Sequence, residues 1–189
     1  MSNDSGGRLP AAALDRALLP GQEVGGYTIL GPLGIGTFGT VYRARHPLIE
    51  KLAAVKVLSL RYSADTTVVS RFVDEARAVN RIGHPGIVDI FAFGQLPDGR
   101  HYHVMELLEG ETLSDRLRRR DRLPLAEALP IFTALASALD AAHHAGIAHR
   151  DVKPANVFLF QKQGAEGTKL LDFGLAKLFG DPISGRKRT

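Results

Sequence analysis

Apolar and polar positions along this chain first follow a strand-like pattern and then switch to a helical one. Tyr27 to Leu30 is a strand candidate; a glycine cluster, Gly34, Gly36 and Gly39, separates it from a second, Val41-Tyr42-Arg43-Ala44. A turn around His46-Pro47 leads to a third, the β-rich run Ala53 to Leu58. From 66 to 82 the period lengthens. Val69, Phe72, Val73, Ala76, Val79 and Ile82 recur at steps of three and four, which predicts a helix with one apolar stripe. Gly83-His84-Pro85-Gly86 ends it, because glycine terminates a helix and proline cannot continue the hydrogen-bond ladder. Ile87–Phe93 and His101–Leu107 then read as strand, turn and strand around Pro97-Asp98-Gly99.

Thr112 and Asp115 have the spacing of a capping box ahead of a short helix that ends in arginines. A long helix is expected over 125–145, with Leu129, Phe132, Leu135, Leu139 and Ala142 on one face and a kink at Pro130. Two short apolar strands, Val157–Phe160 and Lys169–Leu171, follow. The order is a β-rich unit with one helix and then a helical unit, an α+β arrangement. Residues 1–24, with paired glycines, two prolines and one short amphipathic stretch, read as a flexible leader.

Composition narrows the function classes. With 44% hydrophobic and 23% charged residues in 189, the chain is ordinary globular protein rather than disordered or low-complexity. It has no cysteine, so it has no disulfide framework, zinc–thiolate site or thiol nucleophile. The net charge of +4 is partly local, in Arg116, Arg118, Arg119, Arg120 and Arg122 and in Arg186 to Arg188. Such runs read as a solvated helix face and a tail rather than a nucleic-acid surface. No apolar run reaches the ~20 residues of a membrane span, and the start lacks a secretion signal. The expected location is cytoplasmic.

Gly34, Gly36 and Gly39 form G-x-G-x-x-G, which alone is a weak signal. The dinucleotide version needs a helix directly afterwards and an acid about 20 residues on. Here a strand follows, and Lys56 stands near that distance, so a glycine flap between two strands is the better reading. Lys56 lies mid-strand, and Glu75 lies beside the apolar stripe of the following helix, where the two could pair. His149-Arg150-Asp151-Val152-Lys153-Pro154-Ala155-Asn156 and then Asp172-Phe173-Gly174 complete the set. Asp151 could accept a hydroxyl proton, Lys153 could neutralise a phosphoryl group, and Asn156 and Asp172 offer hard oxygens suited to magnesium. All four are expected in loops that a scaffold can aim.

These motifs, with AVKVL, DEARAV, HPGIV, VMELLEG and DFGLAK, occur from Tyr27 to about Lys177 in the order found in protein kinases. The sequence resembles the eukaryotic-like Ser/Thr kinases of bacteria. The resemblance implies a bilobal fold: a complete small lobe over 25–107 and the first part of the large lobe over 108–189. It implies ATP, Mg2+ and protein substrates bearing Ser or Thr. By the same resemblance, the flap from Leu33 to Val41 covers ATP, with Val41 and Ala54 above the adenine and Phe158, bulkier than the usual residue, below it. Lys56 holds the α- and β-phosphates and pairs with Glu75. Met105 is the gatekeeper, and the backbone of Glu106 and Leu108 reads adenine. Asp151 is the base, Lys153 a γ-phosphate contact, and Asn156 and Asp172 the metal ligands. Val79, Ile90, His149 and Phe173 match the family's hydrophobic column. The family's remaining helices would lie past Thr189, leaving Phe132, Leu135 and Leu139 as an apolar patch open to self-association. A non-catalytic ATP-binding or interaction module is the alternative reading.

Plainer readings accompany the sharp ones. His101, His103, His143 and His144 read as partly exposed histidines, since no third metal ligand is suitably spaced. His149 reads as packing rather than acid–base chemistry. Glu106, Glu109 and Glu111 are either solvated surface or contacts to ribose and basic substrates. Ser184 and Thr189 are candidate autophosphorylation positions, whose phosphate could pair with Arg150.

Overall fold

The computed structural model describes residues 16–162 and 164–173. Ser184, Thr189, Gly174 and the basic tail therefore lie outside the described residues. The first part is an antiparallel sheet of β1 (Glu23–Val24), β2 (Tyr27–Ile35), β3 (Gly39–Arg45), β4 (Leu52–Leu58), β5 (Ile90–Gln95) and β6 (His101–Glu106). Its spatial order is β1-β2-β3-β4-β6-β5. Helices α1 (Leu60–Ser63) and α2 (Thr66–Ile82) interrupt it between β4 and β5. The second part holds β7 (Gly110–Thr112), α3 (Leu113–Arg120), α4 (Leu125–His144), a 3-10 turn (Pro154–Asn156), β8 (Val157–Lys162) and β9 (Ala165–Leu170), with β7-β8-β9 forming a small sheet. This is the expected α+β bilobal fold with a partial large lobe.

One face of the first sheet is closed by a core of Val24, Tyr27, Ile29, Tyr42, Val55, Val57 and Val104. Leu18 belongs to that core, and its N–H donates to Tyr42 Oη at 3.2 Å. Residues 18–24 are thus anchored rather than a loose leader, because Leu18, Val24 and the β1 ladder tie them to the sheet.

The α2 boundaries match the expected 66–82. Asp65 caps its start by accepting from the N–H groups of Thr67 (2.8 Å) and Val68 (3.3 Å), and Gly83 ends it in the left-handed region at φ 58°. Its buried residues are Val68, Phe72, Glu75, Ala76 and Val79, so Val68 replaces Val69 in the stripe and a carboxylate sits within it. Ile87 to Asp89, expected in strand, instead lie against β9 through a parallel Ile87–Leu170 bridge, and β5 begins at Ile90.

Thr112 caps α3, accepting from Asp115 N–H at 3.0 Å, while the Asp115 carboxylate takes the Thr112 hydroxyl at 2.6 Å. The arginine run that follows is paired. Arg116, largely buried, meets Glu111 (2.9 Å) and Glu166 (2.7 Å), Arg119 meets Glu111, and Arg120 meets Glu127.

The inward face of α4 is Ile131, Leu135, Ala138 and Ala142, whereas Leu129 and Phe132 are about 60% exposed. The helix is apolar on more than one side, so periodicity could not choose the face; packing against β9 and beside Gly86 does. Among the described residues α4 alone is long and apolar enough to cross a membrane. Its inward face is part of a core shared with Val79, Ile90, Val157, Leu159, Leu170 and Phe173.

Candidate active site

Directly opposite residues in a sheet share a face. Val41 is opposite Lys56 and Lys56 opposite His103, while Ala54 is opposite Met105. Val41, Ala54, Lys56 and Met105 therefore line one surface, facing away from the core around Tyr42 and Val55. Gly34 pairs with Val41, and the turn between β2 and β3 is closed by Gly36 N–H to Gly39 O at 2.8 Å. The glycines form a flap between two strands, as expected, with Leu33 exposed at its edge.

Opposite that surface stands the loop between α4 and β8. Asn156 Nδ2 donates to Asp151 at both its carbonyl and its Oδ2, each at 2.9 Å. Lys153 Nζ meets the same Oδ2 at 2.7 Å. His149 is buried and bridges this loop to the next, with Nε2 at 2.8 Å from the Leu171 carbonyl and Nδ1 accepting from Asp151 N–H at 3.3 Å. Burial holds its pKa below the ordinary value, so the neutral ring donates from Nε2 and accepts at Nδ1. Leu171 N–H donates to Asn156 O at 2.8 Å, a second tie. These bonds fix Asp151 and Asp172 in one frame. Arg150 and Asp172 both adopt positive φ, 65° and 53°, a strain that the tightly bonded loops sustain.

Lys56 corrects one expectation. Its ammonium pairs with Asp172 at 2.5 Å, and among the described residues it makes no ion pair with Glu75. Burial opposes its charge, but the attraction of Asp172 and Glu75 outweighs this and raises its pKa. Burial pushes the Glu75 carboxyl up to about 8 against the pull of Lys56, and its Oε2 has no partner among the described residues. Of the two carboxylates near this three-donor ammonium, Asp172 is the one within bonding distance. The hydrophobic column is assembled all the same. Val79, Ile90 and Phe173 share one core, and the Phe173 ring lies 4.5 Å from that of His149.

His103 corrects another. It is 1% exposed, its ring stacked on Phe72 of α2 at 3.5 Å. Burial, helped by Lys56, pulls it down to about 3 from an ordinary 6.5. The unfolded ring gains a proton below pH 6.5 that the folded ring refuses until about pH 3, so the contribution of His103 to folding stability falls as pH falls through that window, by up to about 1.4 kcal/mol per unit, against the opposite slope from Glu75, whose buried carboxyl keeps its proton up to about pH 8. Urea midpoints at pH 7 and pH 5 check this. His103→Phe removes one of the two opposed contributions, so the variant should gain stability at pH 5 relative to pH 7 compared with wild type, and equal slopes in both proteins would refute it.

Of the three glutamates, Glu109 is exposed surface, as one of the two readings had it, while Glu106 and Glu111 are committed to ion pairs. Glu111 holds Arg116 and Arg119, Glu109 lies 3.7 Å from Arg43, and the Glu106 carboxylate points away from the cleft to Lys169 and the Asp89 N–H. Leu108 follows in the irregular connection, half-buried, and Phe158 lies opposite Thr112 and Lys169 in the small sheet, also half-buried. Sequence reasoning missed Lys169. Its signal was a lysine between Thr168 and Leu170, at the start of a short apolar run three residues before Asp172.

Asn156 turns its amide nitrogen to Asp151, which leaves Oδ1 as the atom for a cation; with the Asp172 carboxylate this is a hard-oxygen pair of the kind magnesium accepts. Among the described residues no group of three His, Cys, Asp or Glu side chains could hold a metal ion.

The chain belongs to the protein kinase domain family, which matches residues 27–187. It is 39% identical over 165 residues to the serine/threonine-protein kinase PknJ of Mycobacterium tuberculosis, covering 87% of this chain and 28% of that protein. It is 42% identical over 163 residues to the serine/threonine-protein kinase Pkn1 of Myxococcus xanthus, covering 85% of this chain and 23% of that one. Among solved structures, the kinase domain of PknI from Mycobacterium tuberculosis superimposes with a TM-score of 0.75 at 38% identity, covering 85% of this chain and 64% of that domain. The chain thus spans about a quarter of the length of these curated relatives.

Proposed function

We propose that this chain binds Mg-ATP between its two lobes and carries the residues that transfer the γ-phosphoryl group to Ser or Thr hydroxyls of protein substrates. The observation that carries the reading is the facing pair of clusters: Lys56 with Asp172 on one side, and Asp151 with Lys153 and Asn156 on the other. Val41, Ala54 and Met105 form an apolar roof for a base, with Phe158 beneath it, and the Glu106 and Leu108 backbone is its polar edge. Lys56 meets the α- and β-phosphates, and Lys153 meets the γ-phosphate. Asn156 and Asp172 would hold magnesium, which when bound neutralises phosphate charge. Asp151 orients the hydroxyl and takes its proton, and Lys153 stabilises charge on the transferred group. Lys56 exchanges Asp172 for phosphate when nucleotide enters, and Glu75 is then placed to pair with it.

The test is thermal unfolding with Mg-ATP, run beside phosphoryl transfer to a Ser/Thr protein substrate. At 100 times Kd the wild type should gain about 2.7 kcal/mol, a rise of roughly 5–10 °C. Lys56→Met should lose the nucleotide-induced rise. Binding without any transfer by the wild type would favour the non-catalytic module, and no response to nucleotide would refute both readings.

A further inference from the structure

Lys169 stands in β9 opposite Phe158, on the same face of the small sheet, with its side chain only 12% exposed. Its ammonium donates to the Ile87 carbonyl at 3.0 Å and to Glu106 Oε1. That same oxygen accepts the Asp89 N–H at 2.8 Å, and the Glu106 N–H donates to the Asp89 carbonyl at 3.0 Å. Glu106 is therefore held at both its main chain and its side chain. The Gly86–Asp89 segment is itself fastened to β9, by Leu170 N–H to Gly86 O at 2.8 Å and Val88 N–H to Leu170 O at 3.2 Å. Glu106 ends a small-lobe strand, and Lys169 belongs to the large-lobe sheet three residues before Asp172. The ion pair joins the lobes from behind the cleft.

We propose that Lys169 is a positioning residue that sets the base-reading edge of the nucleotide site, and with it the preference for adenine over guanine; this rests on the kinase reading above. Backbone groups can tell the two bases apart only if donor and acceptor stay in register with the base edge, because adenine and guanine present opposite hydrogen-bond polarity there. Glu106 follows a half-buried gatekeeper and closes its ladder opposite Ala53, and the irregular connection that carries Leu108 starts immediately after it. The charge pair holds that end of the strand, since moving Glu106 would separate a largely covered ammonium from its partly covered carboxylate. Lys169 itself touches neither base nor phosphate.

The experiment compares binding of Mg-ATP, Mg-GTP and Mg-tripolyphosphate by the wild type, Lys169→Met and Lys169→Arg, using calorimetry. Lys169→Met should weaken ATP about tenfold and lower the ATP-to-GTP preference, leave tripolyphosphate unchanged, and be partly rescued by Lys169→Arg. If Lys169→Met does not fold, Lys169→Gln, which keeps a donor for Ile87, gives the same readout. An unchanged ATP-to-GTP ratio, or equal weakening of all three ligands, overturns the positioning role and leaves the kinase reading standing. A wild type that binds no nucleotide overturns the kinase reading itself.

Discussion

Asp151→Asn is expected to lower phosphoryl transfer by about 10³-fold while nucleotide binding stays within about twofold of wild type. The substitution is nearly isosteric, and the amide oxygen can still accept from Asn156 or Lys153, so the loop should keep its shape. What disappears is the negative charge and the capacity to take a proton. Asp172 is not an equivalent base. Its carboxylate is committed to Lys56 and, in the function proposed above, would join Asn156 in holding magnesium. Asp151 has no such commitment: both donors meet one oxygen, Oδ2, which leaves Oδ1 for a substrate hydroxyl. Single-turnover transfer from ATP to a Ser/Thr substrate, with ATP affinity measured in parallel, separates the two effects. Transfer that survives would remove Asp151 from the base role, and equal loss of binding and transfer would make it a structural residue.

Much of this site was legible because its chemistry is written in short motifs whose spacing a loop preserves. Lys56, Asp151, Lys153, Asn156 and Asp172 converge as expected. Contacts that depend on how two distant elements meet were not legible. Whether Lys56 pairs with Glu75 or Asp172 depends on where α2 sits relative to the loop at 172, and no local pattern encodes that distance. The inward face of α4 was misread because alanines and leucines surround the helix, and only β9 and the 84–87 turn decide which of them face inward. His103 and Lys169 escaped for a common reason. A polar residue in a half-apolar strand reads as the solvent-facing member of an alternating pattern, yet other elements cover these two, leaving His103 1% exposed and the Lys169 side chain 12%. The buried His103 finds an aromatic ring and the buried Lys169 a carboxylate, partners that arrive from 31 residues or more away. The packed segment 18–24 escaped because one leucine and a two-residue ladder are too short to rise above loop composition.

Gly39→Ala is expected to damage the fold, and Gly36→Ala to damage only ligand binding, although both glycines belong to one motif. A Cβ at Gly39 would lie 1.9 Å from the Val57 carbonyl oxygen and 3.0 Å from the Leu58 Cα, both backbone atoms of β4. Gly39 is paired with Leu58 at the end of the β3–β4 ladder, and the neighbouring Phe38 carbonyl accepts from Ser59 N–H at 2.9 Å. No side chain can rotate away to make room, so the strands must part where the ladder delivers Lys56. Overpacking of this kind should cost about 3 kcal/mol, seen as a fall in Tm of roughly 10 °C. At Gly36 the nearest atom to a Cβ would be 3.7 Å away, an ordinary contact, and at Gly34 there is none within 4 Å. The space above those two residues is open on the protein side, so a methyl group there meets only what enters the cleft. Gly36→Ala should therefore keep the wild-type Tm without nucleotide and lose several-fold in ATP affinity. Melting curves of both variants with and without Mg-ATP decide the matter: equal apo stabilities would refute the packing role of Gly39, and unchanged ATP affinity in Gly36→Ala would refute the ligand role of the flap.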